Sequence, residues 1–294
     1  MLDFQAQYDR YRHMTEDFLS RLFGPPDPAE RPWHRLWEAM GYSVLAGGKR
    51  VRPVLTLAVC EALGGQAESA LPLGCALELV HTYSLIHDDL PCMDDDDLRR
   101  GRPTCHKVYG ETMAVLAGDA LQAEAFRLIA GARDMEAWQR SGAVLVLADA
   151  CGADGMVAGQ VLDTDQLASG EAELRTLCAL KTGALIRAAA ELGCVAAGAG
   201  EDARRRASDY AGHLGLAFQV RDDMLDVTAQ EDELGKPIGS DQANEKSTFV
   251  TVLGLEGCAA LVDRLTRQGI EALSGFDAPD FHIQLAKSLA ERTK

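Results

Sequence analysis

Apolar residues return every third or fourth position along almost the whole of this chain, and nowhere do they alternate with polar ones as a strand would require. That period places apolar side chains on one face of an α-helix and leaves little material for a sheet. Ala- and Leu-rich segments predict helices over 3–22, 33–46, 52–63, 67–90, 104–116, 119–131, 134–151, 153–167, 171–193, 201–229, 246–255, 257–273 and 279–292. Gly and Pro punctuate them, most clearly in "FGPPDPAERP" (23–32) and "QEDELGKPIGSD" (230–241). No repeat, low-complexity tract or linker divides the chain, so a single domain over 1–294 is expected. The fold class is all-α, a helical bundle whose members are long enough to surround a central cavity.

Two of these helices carry acidic clusters in apolar company. "FQVRDDMLD" (218–226) puts Asp222 and Asp226 four residues apart on one helix face, with Asp223 beside them. Phe218, Val220, Met224 and Leu225 mark the helix as largely buried, and inward carboxylates are costly unless something cationic meets them. "LIHDDLPCMDDDDLRRGRPT" (85–104) ends another apolar helix with Asp88 and Asp89, is broken by Pro91, and continues with Asp94 to Asp97. Asp94 would rejoin Asp88 only through a looped or bulged backbone near Pro91 and Cys92. Periodicity leaves open which of Asp94 to Asp97 turns inward. Carboxylate oxygens are hard ligands suited to Mg²⁺, which is commonly held by a few carboxylates together with substrate phosphates. A single acidic run is more often a solvated face; two in apolar settings weaken that explanation. Neither has the Asp/Asn/Gly spacing of a calcium-binding EF-hand loop.

Charge and cysteine usage narrow the partners. A formal net charge of −16 disfavours nucleic acid and anionic lipid. It would also repel an anionic substrate unless metals or local basic residues intervene. Eight cysteines show no CxxC pair and no zinc spacing, and read as reduced, mostly buried thiols of a cytoplasmic protein. The N-terminus lacks the apolar core of a signal peptide, and the most apolar stretches are too short or too interrupted to span a bilayer.

In so acidic a chain, clustered basic residues are informative. "GGKRVRP" (47–53) brings Lys49, Arg50 and Arg52 to a helix start, where anions are favoured. Arg99 and Arg100 follow the first acidic cluster, Lys181 and Thr182 sit in "LKTGALIRAA", and Lys236 sits in "LGKP". Lys and Arg suit phosphate oxygens, although each alone is more often a surface residue. His81 stands seven residues before Asp88, close to the same helix face.

Together these stretches resemble the trans-isoprenyl diphosphate synthases, also called polyprenyl synthetases, and most closely the bacterial short-chain farnesyl diphosphate synthases. The stretches are "GGKRVRP", "HTYSLIHDDLPCMDDDDLRRGRPTCH", "LAGDALQAEAF", "KTGALIRAA", "GLAFQVRDDMLDV", "LGKPIGSD" and "KSTFVTVLGLEG", which span 47–257 in the family's order. The resemblance implies the class I terpenoid synthase fold, usually a homodimer. It implies Asp88 and Asp94 as Mg²⁺ ligands, Asp222 as the main ligand of the second motif, and Asp223 and Asp226 in support. Lys49, Arg52, His81 and Arg100 would hold isopentenyl diphosphate; Arg99, Lys181 and Lys236 would grip the allylic diphosphate. Thr182 and Gln219 would lie near the reacting carbon. Three Mg²⁺ ions are expected with substrate bound, and no protein nucleophile is needed.

Product length is partly readable. In the family, a bulky residue five positions before the first motif forms a floor under the growing tail, and Tyr83 followed by Ser84 implies a C15 product. Geranylgeranyl (C20) or geranyl (C10) diphosphate is the nearest alternative. A non-catalytic subunit is disfavoured because both acidic motifs are intact, and a terpene cyclase would not need "GGKRVRP". Glu124 in "LQAEAF", Cys178 in "LCALKTG" and Ala158 in "AGQVLD" depart from the common pattern and put pocket and assembly details in doubt.

Overall fold

The computed structural model describes residues 3–24, 29, 32–228 and 247–292. In chain order it forms α1 (Phe4–Leu22), α2 (His34–Val44), α3 (Val51–Ala62), α4 (Ala67–Asp88), β1 (Leu98–Arg99), β2 (Arg102–Pro103) and α5 (Cys105–Tyr109). Then follow α6 (Glu111–Ala130), α7 (Ala137–Cys151), α8 (Met156–Thr164), α9 (Glu171–Lys181), α10 (Gly183–Ala197), α11 (Glu201–Thr228), α12 (Phe249–Ala272) and α13 (Asp280–Glu291). Lys236 and the 230–241 loop lie outside the described residues, as does most of the break at 23–32.

Helix α4 is apolar on every side, so it can be stable only when surrounded. Leu73, Leu77, Leu79 and Val80 are fully buried, and α3, α6 and α10 pack around it. α11 joins two apolar clusters. Its first half (Ala207, Tyr210, Leu214) belongs to the main core; its second half (Ala217, Val220, Met224) packs with Leu174, Phe249 and Leu261 of α9 and α12. The acidic end of α4 and the acidic half of α11 therefore sit on core helices, as their apolar context required.

Several boundaries differ from expectation for local reasons. The break expected at 117–118 is absent, and α6 runs through it; the real break is Gly110, at φ 89, a left-handed position that suits glycine. The helix expected over 171–193 divides at Thr182 into α9 and α10. The two helices expected from 246 to 273 are both present within α12, and the break between them falls at Gly254, φ 68, two residues before the expected gap. No strand was expected, yet Leu98–Arg99 and Arg102–Pro103 pair antiparallel, with Arg100 and Gly101 both at positive φ. That is the backbone of a two-residue hairpin turn. An 18-residue window within Ala137–Thr164 has a mean hydropathy of 1.4, but the stretch is two helices, α7 and α8, of 15 and 9 residues. Each falls short of the ~20 residues needed to cross a bilayer.

Candidate active site

The first acidic motif closes on itself. After Asp89 the helix ends, and the chain turns through Pro91 so that the N–H of Met93 donates to Leu90 and that of Asp94 to the Asp88 carbonyl, 2.9 Å away. Pro91, which cannot extend a helical ladder, occupies the turn where the ladder has already stopped. The other aspartates have partners of their own. Asp89, nearly buried, takes two hydrogen bonds from Arg99, Asp96 takes one more, and Asp97 pairs with Lys107 at 2.6 Å. The backbone bond holds Asp94 beside Asp88, close enough for the two charges to interact. Burial, opposed by the Lys181 ammonium and reinforced by Asp94, pushes the Asp88 carboxyl up to about 6. A carboxylate held that way gains from a cation.

Asp88 lines a cavity of about 630 Å³ together with Tyr83, Ser84, Lys181 and Thr182. Its other walls are mostly apolar, among them Leu85, Met93, Met156 and Leu185. Lys181 Nζ donates to Asp163 at 2.6 Å, and Thr182 Oγ1 donates to Gln219 Oε1 at 3.0 Å. Asp163 and the cavity-lining Gln160 were missed by sequence reasoning. The signal was present in "AGQVLD": a Cβ on Gly159 would lie 2.2 Å from the Lys181 N, so this glycine lets α8 touch α9 and brings Asp163 to Lys181.

In the second motif the three aspartates diverge. Asp222 is half-exposed and pairs with Arg292, whose guanidinium also stacks on Phe218 at 3.8 Å. Asp223 turns inward, accepting from Gln219 Nε2 (3.0 Å) and from the Phe249 N–H (2.9 Å). Asp226 is buried. Among the described residues no three His, Cys, Asp or Glu side chains converge to hold a metal unaided. Hard oxygen donors in two sparse groups suit Mg²⁺ ions whose remaining positions are filled by water and phosphate.

A second cavity of about 330 Å³ adjoins the first, sharing Arg52 and His81 and adding Lys49 and Arg100. The four residues expected at one diphosphate are thus brought together. Burial lowers the Arg52 pKa, with Glu78 opposing and Arg100 adding to it. Burial and then Arg52, Arg100, Arg99 and Arg50 hold His81 well below the usual imidazole range. Arg52 Nε is buried without a partner among the described residues. Crowded cations with an unused donor would suit an anion.

Arg50, grouped with Lys49 and Arg52 in the sequence reading, belongs elsewhere. Its side chain is fully buried, with Nε on Glu16 (2.7 Å), Nη1 on Glu78 (2.8 Å) and Nη2 on the Val44 carbonyl (2.6 Å). It holds the 47–50 loop from below, while Arg100 donates to the Gly47 carbonyl from above. The hairpin turn explains how neighbours Arg99 and Arg100 serve opposite sides. Glu124 lies buried on α6, off both cavities, and is satisfied by Arg127; Cys178 is buried in the cluster between α9 and α11. Of the eight free cysteines only Cys92 is exposed.

The sequence model of the polyprenyl synthetase family matches residues 34–271. The chain is 46% identical over 248 residues to a farnesyl diphosphate synthase of Geobacillus stearothermophilus, covering 82% of this chain and 80% of that one. It is 47% identical over 252 residues to a chloroplastic protein of Arabidopsis thaliana, the heterodimeric geranylgeranyl pyrophosphate synthase large subunit 1 (83% and 68% covered). Its fold matches an apo crystal structure of an FPP/GFPP synthase from Zymomonas mobilis with a TM-score of 0.84 at 36% identity, over 98% of both chains. The fold is that of the class I terpenoid synthases.

Proposed function

The chain belongs to the polyprenyl synthetase family and carries its trans-prenyl diphosphate synthase activity, and we propose that it condenses isopentenyl diphosphate with dimethylallyl and geranyl diphosphates to give farnesyl diphosphate. Identity does not choose the product, since relatives named for C15 and C20 products stand at 46% and 47%. The observation that carries the C15 reading is Tyr83, 6% exposed, with its ring in the wall of the larger cavity five residues before Asp88. At 1.5 Å per residue this is about 7.5 Å below the carboxylate, deep enough to meet a growing tail. The C20 product is the second reading, favoured by the relatives named geranylgeranyl synthases.

In this reading the allylic diphosphate lies between Asp88, Asp94 and Asp222, with Lys181 and Arg99 beside its oxygens. Mg²⁺, when bound there, would neutralise the departing diphosphate as the C–O bond breaks. Lys49, Arg52, His81 and Arg100 would orient isopentenyl diphosphate so that its double bond meets the allylic carbon, and the proton then lost from its C2 would pass to the released diphosphate. The paired oxygens of Thr182 and Gln219 would present negative dipoles to the cation, and the apolar walls would keep water away from it. Lys236 retains its expected role on the allylic diphosphate only as a proposal from the family pattern. We propose a homodimer from the family pattern; Leu116 of α6 and Leu145 of α7, 48% and 61% exposed on packed helices, are in keeping with it.

Incubation with isopentenyl diphosphate, dimethylallyl or geranyl diphosphate and Mg²⁺, followed by chromatography of the prenyl products, tests this. The expected outcome is Mg²⁺-dependent C15, shifted toward C20 by Tyr83→Ala. A Tyr83→Ala variant that still stops at C15 would reject Tyr83 as the floor.

A further inference from the structure

Resting on the farnesyl reading, a further question is what keeps the Tyr83 ring in place. A bulky side chain limits a pocket only while it holds its position, and tyrosine carries a hydroxyl that must be satisfied when buried. Gln122 of α6 meets it: its Nε2 lies 3.5 Å from the phenol oxygen. Helices α4, α6 and α7 pack on one another, so the contact sits where three elements meet. Gln122 does not line the cavity, so it reaches the pocket only through Tyr83.

The other side of the ring is braced from the same helix. His87 lies edge-on to Tyr83, ring centroids 5.8 Å apart at 70°. His87 Nε2 lies 3.1 Å from the Val115 carbonyl, and the imidazole fits there because residue 118 is glycine: a Cβ would come within 2.1 Å of Nε2. Helix α6 therefore touches Tyr83 twice, through the hydroxyl and through His87.

We propose that Gln122 is a positioning residue for product length, holding the Tyr83 hydroxyl so that the ring stays across the tail pocket and elongation stops there. Loss of the tether leaves a buried phenol without its partner and a ring that yields to the next isoprene unit. The alternative is that ring bulk alone sets the depth.

Gln122→Met keeps the side-chain length without a donor, and Tyr83→Phe keeps the ring without the hydroxyl. Wild type, both variants and the double variant are given dimethylallyl diphosphate, isopentenyl diphosphate and Mg²⁺, and the C20:C15 ratio is read. Each single change is expected to raise the ratio about three- to tenfold, the scale of one hydrogen bond. The double variant should match the singles, because both remove the same contact. Poor folding lowers both products together and leaves their ratio alone. An unchanged or lower ratio in both singles, or a double variant that multiplies their effects, overturns the proposal. The wild-type lane judges the farnesyl reading separately: mainly C20 there rejects C15, and the variants are then compared with wild type for the next longer product.

Discussion

The backbone N–H of Asp94 donates to the carbonyl of Asp88 across 2.9 Å, so residues six apart on a broken helix become neighbours. An unbroken helix would have turned Asp94 away from Asp88. The turn at Pro91 keeps Asp94 beside Asp88, which lines the large cavity, and gives Asp89, Asp96 and Asp97 to basic partners.

That division predicts unequal effects from chemically equal changes. Asp88→Asn and Asp94→Asn should each lower kcat by about two to three orders of magnitude, as expected when a group stabilising developing charge is lost. Asp97→Asn, which removes only an exposed pair with Lys107, should stay close to wild type. Steady-state rates at saturating Mg²⁺ check this, and a large loss in Asp97→Asn would move the metal site away from Asp94.

Arg50 and Lys49 are adjacent but should fail differently. Arg50→Met leaves Glu78, itself nearly buried, without its cation and should cost about 3–5 kcal/mol in denaturant unfolding. Lys49→Ala, on an exposed residue, should leave the unfolding midpoint near wild type and raise the KM for isopentenyl diphosphate. Equal stability in both variants would contradict the buried role of Arg50.

The helical architecture was legible because long Ala- and Leu-rich runs, α4 among them, are punctuated by Gly and Pro, and the two acidic motifs because carboxylates in apolar helices are rarely idle. The structural role of Arg50 was not visible in "GGKRVRP", since its partners Glu16 and Glu78 come from α1 and α4. The break at Gly110 was misplaced to 117–118 because Gly118 looks like a terminator but serves instead as the seat of His87. The hairpin at 98–103 is too short for alternation to show. Tertiary partners decided each of these, and a one-dimensional pattern does not contain them.

His282 predicts a pH dependence of stability. It is 1% exposed among Tyr210, Phe276 and Phe281, and neither ring nitrogen has a partner among the described residues. Burial lowers its pKa from 6.5 to about 4. The unfolded chain therefore binds a proton that the folded chain refuses, so stability rises with pH through that window and is lost as pH falls from 6.5 toward 4. The full effect is about 3 kcal/mol. His282→Leu should lose less stability than wild type between neutral pH and the bottom of the window, measured by urea midpoints, while the carboxylates contribute alike to both. Parallel losses would show that His282 titrates normally in the folded protein.

Asp222 and Asp223 are adjacent in "RDDMLD", and the structure gives them opposite surroundings. Asp222 faces Arg292 at the half-exposed surface of α11, where a cation already sits beside it. Asp223 accepts the Phe249 N–H, the first residue of α12, where a negative charge also suits the helix dipole. Asp222→Asn should therefore leave folding intact and raise the Mg²⁺ concentration for half-maximal activity by roughly tenfold or more, at least the loss seen when a metal site's outer partner is removed. Asp223→Asn can accept through only one side-chain atom and must turn its amide toward either Phe249 N–H or Gln219, which should cost about 1–3 kcal/mol of stability. Because Gln219 also accepts from Thr182, the same change should slow turnover at saturating metal rather than shift the metal requirement. Magnesium titrations of the two variants, beside their unfolding curves, separate the roles; a tenfold metal shift in Asp223→Asn with unchanged stability would reverse the assignment.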